Sequence, residues 1–427
     1  MLLTSAARSG EQRYYGWPLL AGLSAAQTIS WGVLYYSFAV FMRPIEAEMG
    51  WSRTQVTGAF SIALLVSGAV SVPVGHWLDS RGARGLMTLG SVAASVLFLA
   101  LSQAHSLPTF YAIWVGLGVV MAMVLYEPAF AVVSTWFVRH RDRALTILTL
   151  VGGLASTLVV PLASWLLERQ GWRSAVTWLA LLLGATTVPL HAFFLRRDPA
   201  AVGQYPDGDQ ATAADASSLE GGGEMGPVLA EGRFWGLTAA FALASLVTVA
   251  TSVHLIPYLT ERKHSALVAG SILGMVGLMQ LPGRVVFGPI RHRLAWRWAA
   301  GLAFLLQASA IGVLALAPGG AALVVFVCLF GMGNGMSTLL RASAVAELYG
   351  RARYGRVGGV VALFSTCGRA AGPLVAALAL AAFGSYALAF GALAAVLGVS
   401  ALLVMLPWRP IRRGPSGGWK EPSHRST

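Results

Sequence analysis

Long apolar stretches alternate with short polar connections along this chain. The apolar stretches fall near 17–42, 54–74, 84–103, 108–136, 144–167 and 174–195, then near 234–260, 266–289, 295–317, 321–345, 357–383 and 385–407. Each is about 20 residues or longer, the length at which an α-helix crosses roughly 30 Å of hydrocarbon. In lipid a backbone must satisfy its own hydrogen bonds, and a helix does so within one segment. The pattern predicts an all-α integral membrane protein with twelve transmembrane helices.

Composition supports this: 56% of the 427 residues are hydrophobic, 11% are charged and the mean hydropathy is +0.68. A soluble protein carries about 25% charged residues. The formal net charge of +13 raises the class of nucleic-acid binders, and its distribution excludes that class. Arginines gather in alternate connections, as Arg81 and Arg84, Arg139, Arg141 and Arg143, Arg196, Arg197 and Arg233, Arg291, Arg293 and Arg297, and Arg351, Arg353 and Arg356. Arg409 to Lys420 continue the series, while the other connections hold only Arg43, Arg53, Arg169, Arg173, Arg262 and Lys263. Positively charged loops stay inside, so both termini are expected in the cytoplasm of a cell whose plasma membrane, a bacterial inner membrane, holds the protein. The start, MLLTSAARSGEQRYYGW, lacks a short apolar core with a small-residue cleavage site, so the first span is expected to be retained. Cys328 and Cys367 fall inside spans, show no metal-ligand spacing and read as small packing residues.

Residues 196–233 break the pattern and are rich in Gly, Ala and acids, the composition of a flexible cytoplasmic linker. They divide the chain into a bundle at 1–195 and a bundle at 234–407, followed by a tail at 408–427. Two halves of six spans suggest a repeat related by an axis along the membrane normal. A second sign is the pairing of GHWLDSRGARG, starting at Gly75, with GPIRHRLAWRW, starting at Gly288. Both stretches join the second and third spans of their halves.

GHWLDSRGAR, residues 75–84, resembles the loop motif G-x-L-x-D-R-x-G-R-R of the major facilitator superfamily. Gly75, Asp79, Gly82 and Arg84 stand at matching places, and the D-R pair is spread to Asp79, Ser80 and Arg81. Glycines permit close helix approach, and Asp79 can face a helix N-terminus or pair with an arginine. The resemblance implies two six-helix bundles and a cytoplasmic lock formed by Gly75, Asp79, Arg81, Gly82 and Arg84. Residues 36–62 and LPGRVVFG, 281–288, resemble the monocarboxylate transporters and the related oxalate:formate antiporters. This second resemblance implies an anion-binding arginine at Arg284 and a second cation in the eleventh span, where Arg369 stands. Tyr36 and Gln280 occupy the places where the monocarboxylate family often has a lysine and an acid, a departure from the pair that the resemblance implies for proton symport.

Arg369, in LFSTCGRAAGP, lies about 12 residues from either end of its apolar run, roughly 18 Å deep. That is too deep to snorkel, so the side chain must face protein or a watery cavity. It reads either as a brace bonded to backbone carbonyls or as an anion site, since a guanidinium fits a carboxylate fork and keeps its charge. Arg284, about five residues from the end of its run, reads as a substrate contact or as a snorkelling side chain. Glu127 precedes Pro128, which frees a carbonyl; it is a proton carrier or a structural partner of Arg139 or Arg284. His254 can titrate near physiological pH or pack between helices. Tyr35, Tyr36, Tyr126, Tyr258, Gln27, Gln280 and Asn334 supply hydrogen bonds for a polar cavity, and tyrosines also serve as interfacial anchors. The glycines of GMGNGM, with Gly152 and Gly153, read as close-packing sites.

No nucleophile with a base, phosphate-binding loop or metal spacing is present in the sequence, so neither an enzyme nor a cofactor is expected. The expectation is a monomeric secondary transporter of a small organic anion, a mono- or dicarboxylate. It would work by alternating access, with a coupling proton or a counter-anion and the lipid bilayer as its other partners. The rivals are a proton-driven exporter of amphipathic compounds, for which Arg369 is structural, and a transporter-like receptor that binds without transport.

Overall fold

The computed structural model describes residues 14–208, 225–264, 266–316 and 319–406. Ten continuous helical stretches among the described residues are long and apolar enough to cross a bilayer. One of them, Arg141–Phe194, runs for 54 residues, about 80 Å of helix, and breaks at Gly171 with φ 78° and ψ 167°. Its two ends lie together, since Trp17 packs on His140 and the Tyr15 hydroxyl donates to the Phe194 carbonyl. Just beyond the break, Arg173 donates instead to Glu48 of the helix Phe38–Met49, which follows the first helix and its π-turn. The stretch therefore holds two crossings. The first helix adds the twelfth, because a π-turn at Gly32–Tyr36 interrupts it after only 16 residues.

The crossings are α1 (Gly16–Trp31), α2 (Arg53–Arg81), α3 (Ala83–Ser102), α4 (Leu107–Trp136), α5 (from Arg141 to the Gly171 break) and α6 (from that break to Phe194). The second half supplies α7 (Gly232–Glu261), α8 (Ala266–Arg293), α9 (Trp296–Leu316), α10 (Gly320–Tyr349), α11 (Tyr354–Phe383) and α12 (Tyr386–Met405). Local chemistry explains several of the ends. Ser52 and Gln55 form a capping box that starts α2. Within α4, Pro128 has no N–H to give the Val124 carbonyl, and the helix breaks at Leu125 (φ −82°, ψ −155°). Gln27, fully buried, takes up that carbonyl through Nε2 at 2.6 Å. Gln27 thus supports the α4 break rather than lining a cavity.

The two halves share one apolar core at the arginine-rich end, where Leu20, Leu78, Phe130 and Leu148 join Phe241, Phe287 and Val357. At the opposite end, buried residues such as Phe38, Phe98, Trp114 and Leu179 form a cluster from the first half alone. The halves are therefore joined at one end and separate toward the other. The stretch expected as a flexible linker begins with a folded strap. Asp207 accepts hydrogen bonds from the backbone N–H groups of Val138, Arg139 and His140, and Gln204 accepts one from Tyr15. Residues 209–224, the segment before Tyr14 and the tail from 407 lie outside the described residues. Cys328 is half-buried and Cys367 exposed.

Candidate functional site

The site is built on α1, α4, α5, α8, α10 and α11. Arg284 lies nine residues inside the end of α8, because the helix continues to Arg293. That is roughly 13 Å from the helix end, the last turn of which carries Arg291, His292 and Arg293. It is buried and reaches across to the first half, where its Nη1 donates to the Thr149 carbonyl of α5 at 2.6 Å. A Cβ at Gly153 would sit 2.7 Å from the same Nη1, and a Cβ at Gly152 would sit 2.8 Å from the Tyr126 hydroxyl. The two glycines thus make room for Arg284 and Tyr126. The Arg284 guanidinium also lies close enough to Tyr36 and Tyr126 to act on them electrostatically. Its Nε is buried without a hydrogen-bond partner.

Arg369 sits near the middle of α11, about 20 Å from either end. Its Nη2 donates to Thr366 one turn earlier at 2.8 Å. The side chain is exposed, yet it lies within electrostatic reach of Arg341, Glu127 and Tyr35, which belong to α10, α4 and the π-turn of the first helix. It therefore faces the cleft between the halves rather than lipid. Tyr35 and Tyr36 pack against each other at 5.2 Å, and Trp31 packs on Tyr35 and Tyr126 at 5.3 and 4.8 Å. The π-turn sets both tyrosines toward the cleft, and such turns recur at functional sites. Trp31 drew no notice in the sequence because it reads as one more apolar residue.

Glu127 pairs with neither Arg139 nor Arg284. Its Oε1 accepts from Arg341 Nη2 of α10 at 2.5 Å, across the interface between the halves. Arg341 was overlooked in the sequence, where it lies within the run 321–345 close to a charged end. The signal was an arginine eight residues inside the helix that ends at Tyr349. Gln280 lies four positions before Arg284, and Asn334 seven before Arg341, so each shares a helix face with an arginine. The GMGNGM glycines pack α10 closely on α8 and α9, where added Cβ atoms would meet Val276, Ala303 and Gln280 backbone oxygens.

Two further expected site residues make their contacts within the second half. Tyr258 is fully buried, donates to the Leu314 carbonyl of α9 at 2.6 Å and packs on Phe390. Its hydroxyl is used inside the second half, and the Arg262 guanidinium lies 4.6 Å over its ring. His254 hydrogen-bonds through Nε2 to the Pro373 carbonyl at 3.2 Å and packs against Tyr386, a link among α7, α11 and α12.

The motif loop is divided in the same way. Asp79, with only 5% of its side chain exposed, accepts from the Gly355 and Arg356 N–H groups at 2.7 and 3.0 Å and from Arg356 Nε at 3.0 Å. It occupies the N-terminus of α11, where the free N–H groups and helix dipole favour an anion. Gly75 packs directly on the Gly355 backbone, and a Cβ there would clash with its carbonyl. Arg81 instead lies over Trp77, and Arg84 donates to Ala192, both within the first half. Gly82 takes φ 76° between α2 and α3. Thus Gly75 and Asp79 join the halves, while Arg81, Gly82 and Arg84 shape the loop. A mirrored clamp joins α8 and α10 to α5: Arg291 lies 3.7 Å from Asp142 and 2.5 Å from Glu347, and Ser343 donates to Asp142 at 2.8 Å.

Comparison with known proteins places this geometry in context. The family model described as Major Facilitator Superfamily matches residues 20–373. Monocarboxylate transporter 13 of Rattus norvegicus is 27% identical over 409 residues, covering 92% of this chain and 89% of that protein. The oxalate:formate antiporter of Oxalobacter formigenes is 24% identical over 221 residues, covering 51% of this chain and 50% of that protein. Among solved structures, the E. coli fucose:proton symporter FucP superposes with a TM-score of 0.71 at 13% identity, covering 92% of this chain and 98% of that one.

Proposed function

The chain belongs to the major facilitator superfamily, a multi-pass membrane transporter and not an enzyme, and from that premise we propose that it carries a small organic carboxylate by alternating access. The observation that carries this reading is the pair Arg284 and Arg369. Among the described residues neither has a carboxylate partner, although both stand deep in helices that line the cleft. A permanent charge at such depth is stabilised by an anion, and the vacant donors match a carboxylate. Tyr35 and Tyr36, set by the π-turn, orient the rest of the molecule. Relatives named as a monocarboxylate transporter and an oxalate:formate antiporter support the same substrate class. The arginine-rich face is assigned to the cytoplasm by the positive-inside rule, which makes this conformation closed inside and open outside.

Binding of lactate and oxalate to purified variants tests the assignment. Arg284→Gln and Arg369→Gln should each lose charge-assisted hydrogen bonds worth about 1.5 to 3 kcal/mol, a loss of roughly ten- to hundredfold in affinity, with melting temperatures near the parent's. Unchanged affinity accompanied by a lowered melting temperature would make the arginines braces and remove the basis for the carboxylate site.

A further inference from the structure

Arg341 is held by the first half's Glu127 in this conformation, and Arg369 lies within electrostatic reach of both. Among the described residues that face the cleft at mid-depth, three guanidiniums stand against this one carboxylate. Building on the carboxylate reading, we propose that Glu127 and the substrate anion compete for Arg341, so that a proton taken up by Glu127 releases Arg341 to the anion.

The geometry makes this competition direct. Glu127 lies in the first turn of the helix segment Tyr126–Trp136 that follows the α4 break. Arg341 faces it from α10, and Arg369 and the buried Tyr354 face it from α11. Arg141 of α5 acts on Tyr354. From α2 the neighbours are Ser71, Val74, Gly75 and Leu78, which line a small cavity with Glu127 and carry no titratable group. That cavity lies between Glu127 and the Gly75–Gly355 contact, so the carboxylate stands between the anion site and the gate. With Glu127 ionised, Arg341 is neutralised and Arg369 receives the anion without it. When a proton from water adds to Glu127, the Arg341 Nη2 hydrogen bond passes from the Glu127 carboxylate to a carboxylate oxygen of the anion. The proton's charge offsets that of a monoanion, so proton and monoanion enter together without changing the net charge of the site. Binding of each then favours the other by the same factor.

The experiment measures lactate and oxalate affinity of the full-length protein in detergent at about pH 8 and about pH 5.5, where both anions stay ionised. The parent is expected to bind at least one of them ~10-fold or more tightly at the lower pH. Glu127→Gln should bind at both pH values with the parent's low-pH affinity, and Arg341→Gln should lose the pH dependence at the parent's high-pH affinity. Parent affinity independent of pH, or a Glu127→Gln variant that keeps the parent's pH dependence, overturns the competition while leaving the carboxylate site standing. Failure of the parent to bind either anion at both pH values overturns the carboxylate reading and this proposal with it. If Glu127→Gln does not fold, Glu127→Asp serves in its place: it should keep a pH dependence displaced from the parent's, and an undisplaced one counts against Glu127.

Discussion

A guanidinium in a bilayer-spanning helix keeps its proton at any physiological pH, so its neighbours must supply what water no longer does. Arg341 receives a carboxylate, whereas Arg284 receives a backbone carbonyl and Arg369 a threonine hydroxyl. Lysine separates charge from shape at these places, because it keeps the charge and loses the planar fork. In the binding series above, Arg369→Lys is expected to recover part of the affinity that Arg369→Gln loses; full recovery would mean that charge alone suffices. Arg369 and Arg284 were legible in the sequence because each interrupts an apolar run. Arg341 was not, because its run appeared to end near it, and only the continuation of α10 to Tyr349 sets it two turns deep. Tyr258 and Tyr35 illustrate the opposite difficulty. Both are tyrosines in apolar runs, and which one meets the cleft depends on partner helices distant in sequence.

At the scale of elements, the joint between α2 and α11 is where the motif acts. Gly75 and Gly355 bring the two helices to backbone contact, and Asp79 seals the N-terminus of α11. Asp79→Asn keeps the shape and one acceptor oxygen but loses the charge facing Arg356 and the helix dipole. That should cost the closed conformation about 1 to 3 kcal/mol. Anion exchange by this variant in vesicles is expected to slow several-fold or more while affinity in detergent stays within about twofold of the parent's. A loss of affinity equal to the loss of transport would place Asp79 in the binding site instead. The loop motif was readable from Gly75 to Arg84, and so was the carbonyl freed by Pro128. The mirrored clamp left only a faint trace in the paired stretches starting at Gly75 and Gly288. In it the helix-end carboxylate of one half is replaced by Arg291 of the other, and the acid stands on the receiving helix as Asp142. Reversing the charges preserves the contact and erases the motif.

For the whole molecule, twelve spans and two halves were legible because hydrocarbon thickness sets helix length so tightly. The direction in which the cleft opens was not, since it depends on which helix ends meet. The shared apolar core, the Asp79 seal and the Arg291 clamp all lie at the arginine-rich end. A reporter fused after Gly208, in the folded strap, is expected to show cytoplasmic activity, and alkaline phosphatase activity from the same fusion would reverse the inside and outside of this conformation. Transport itself is tested most directly by counterflow. Proteoliposomes loaded with unlabelled lactate or oxalate and diluted into a trace of the same labelled anion should accumulate label transiently above its equilibrium level, because an alternating-access carrier exchanges internal for external substrate. Labelled anion that binds the protein but never accumulates with either compound would contradict carboxylate transport and leave a receptor.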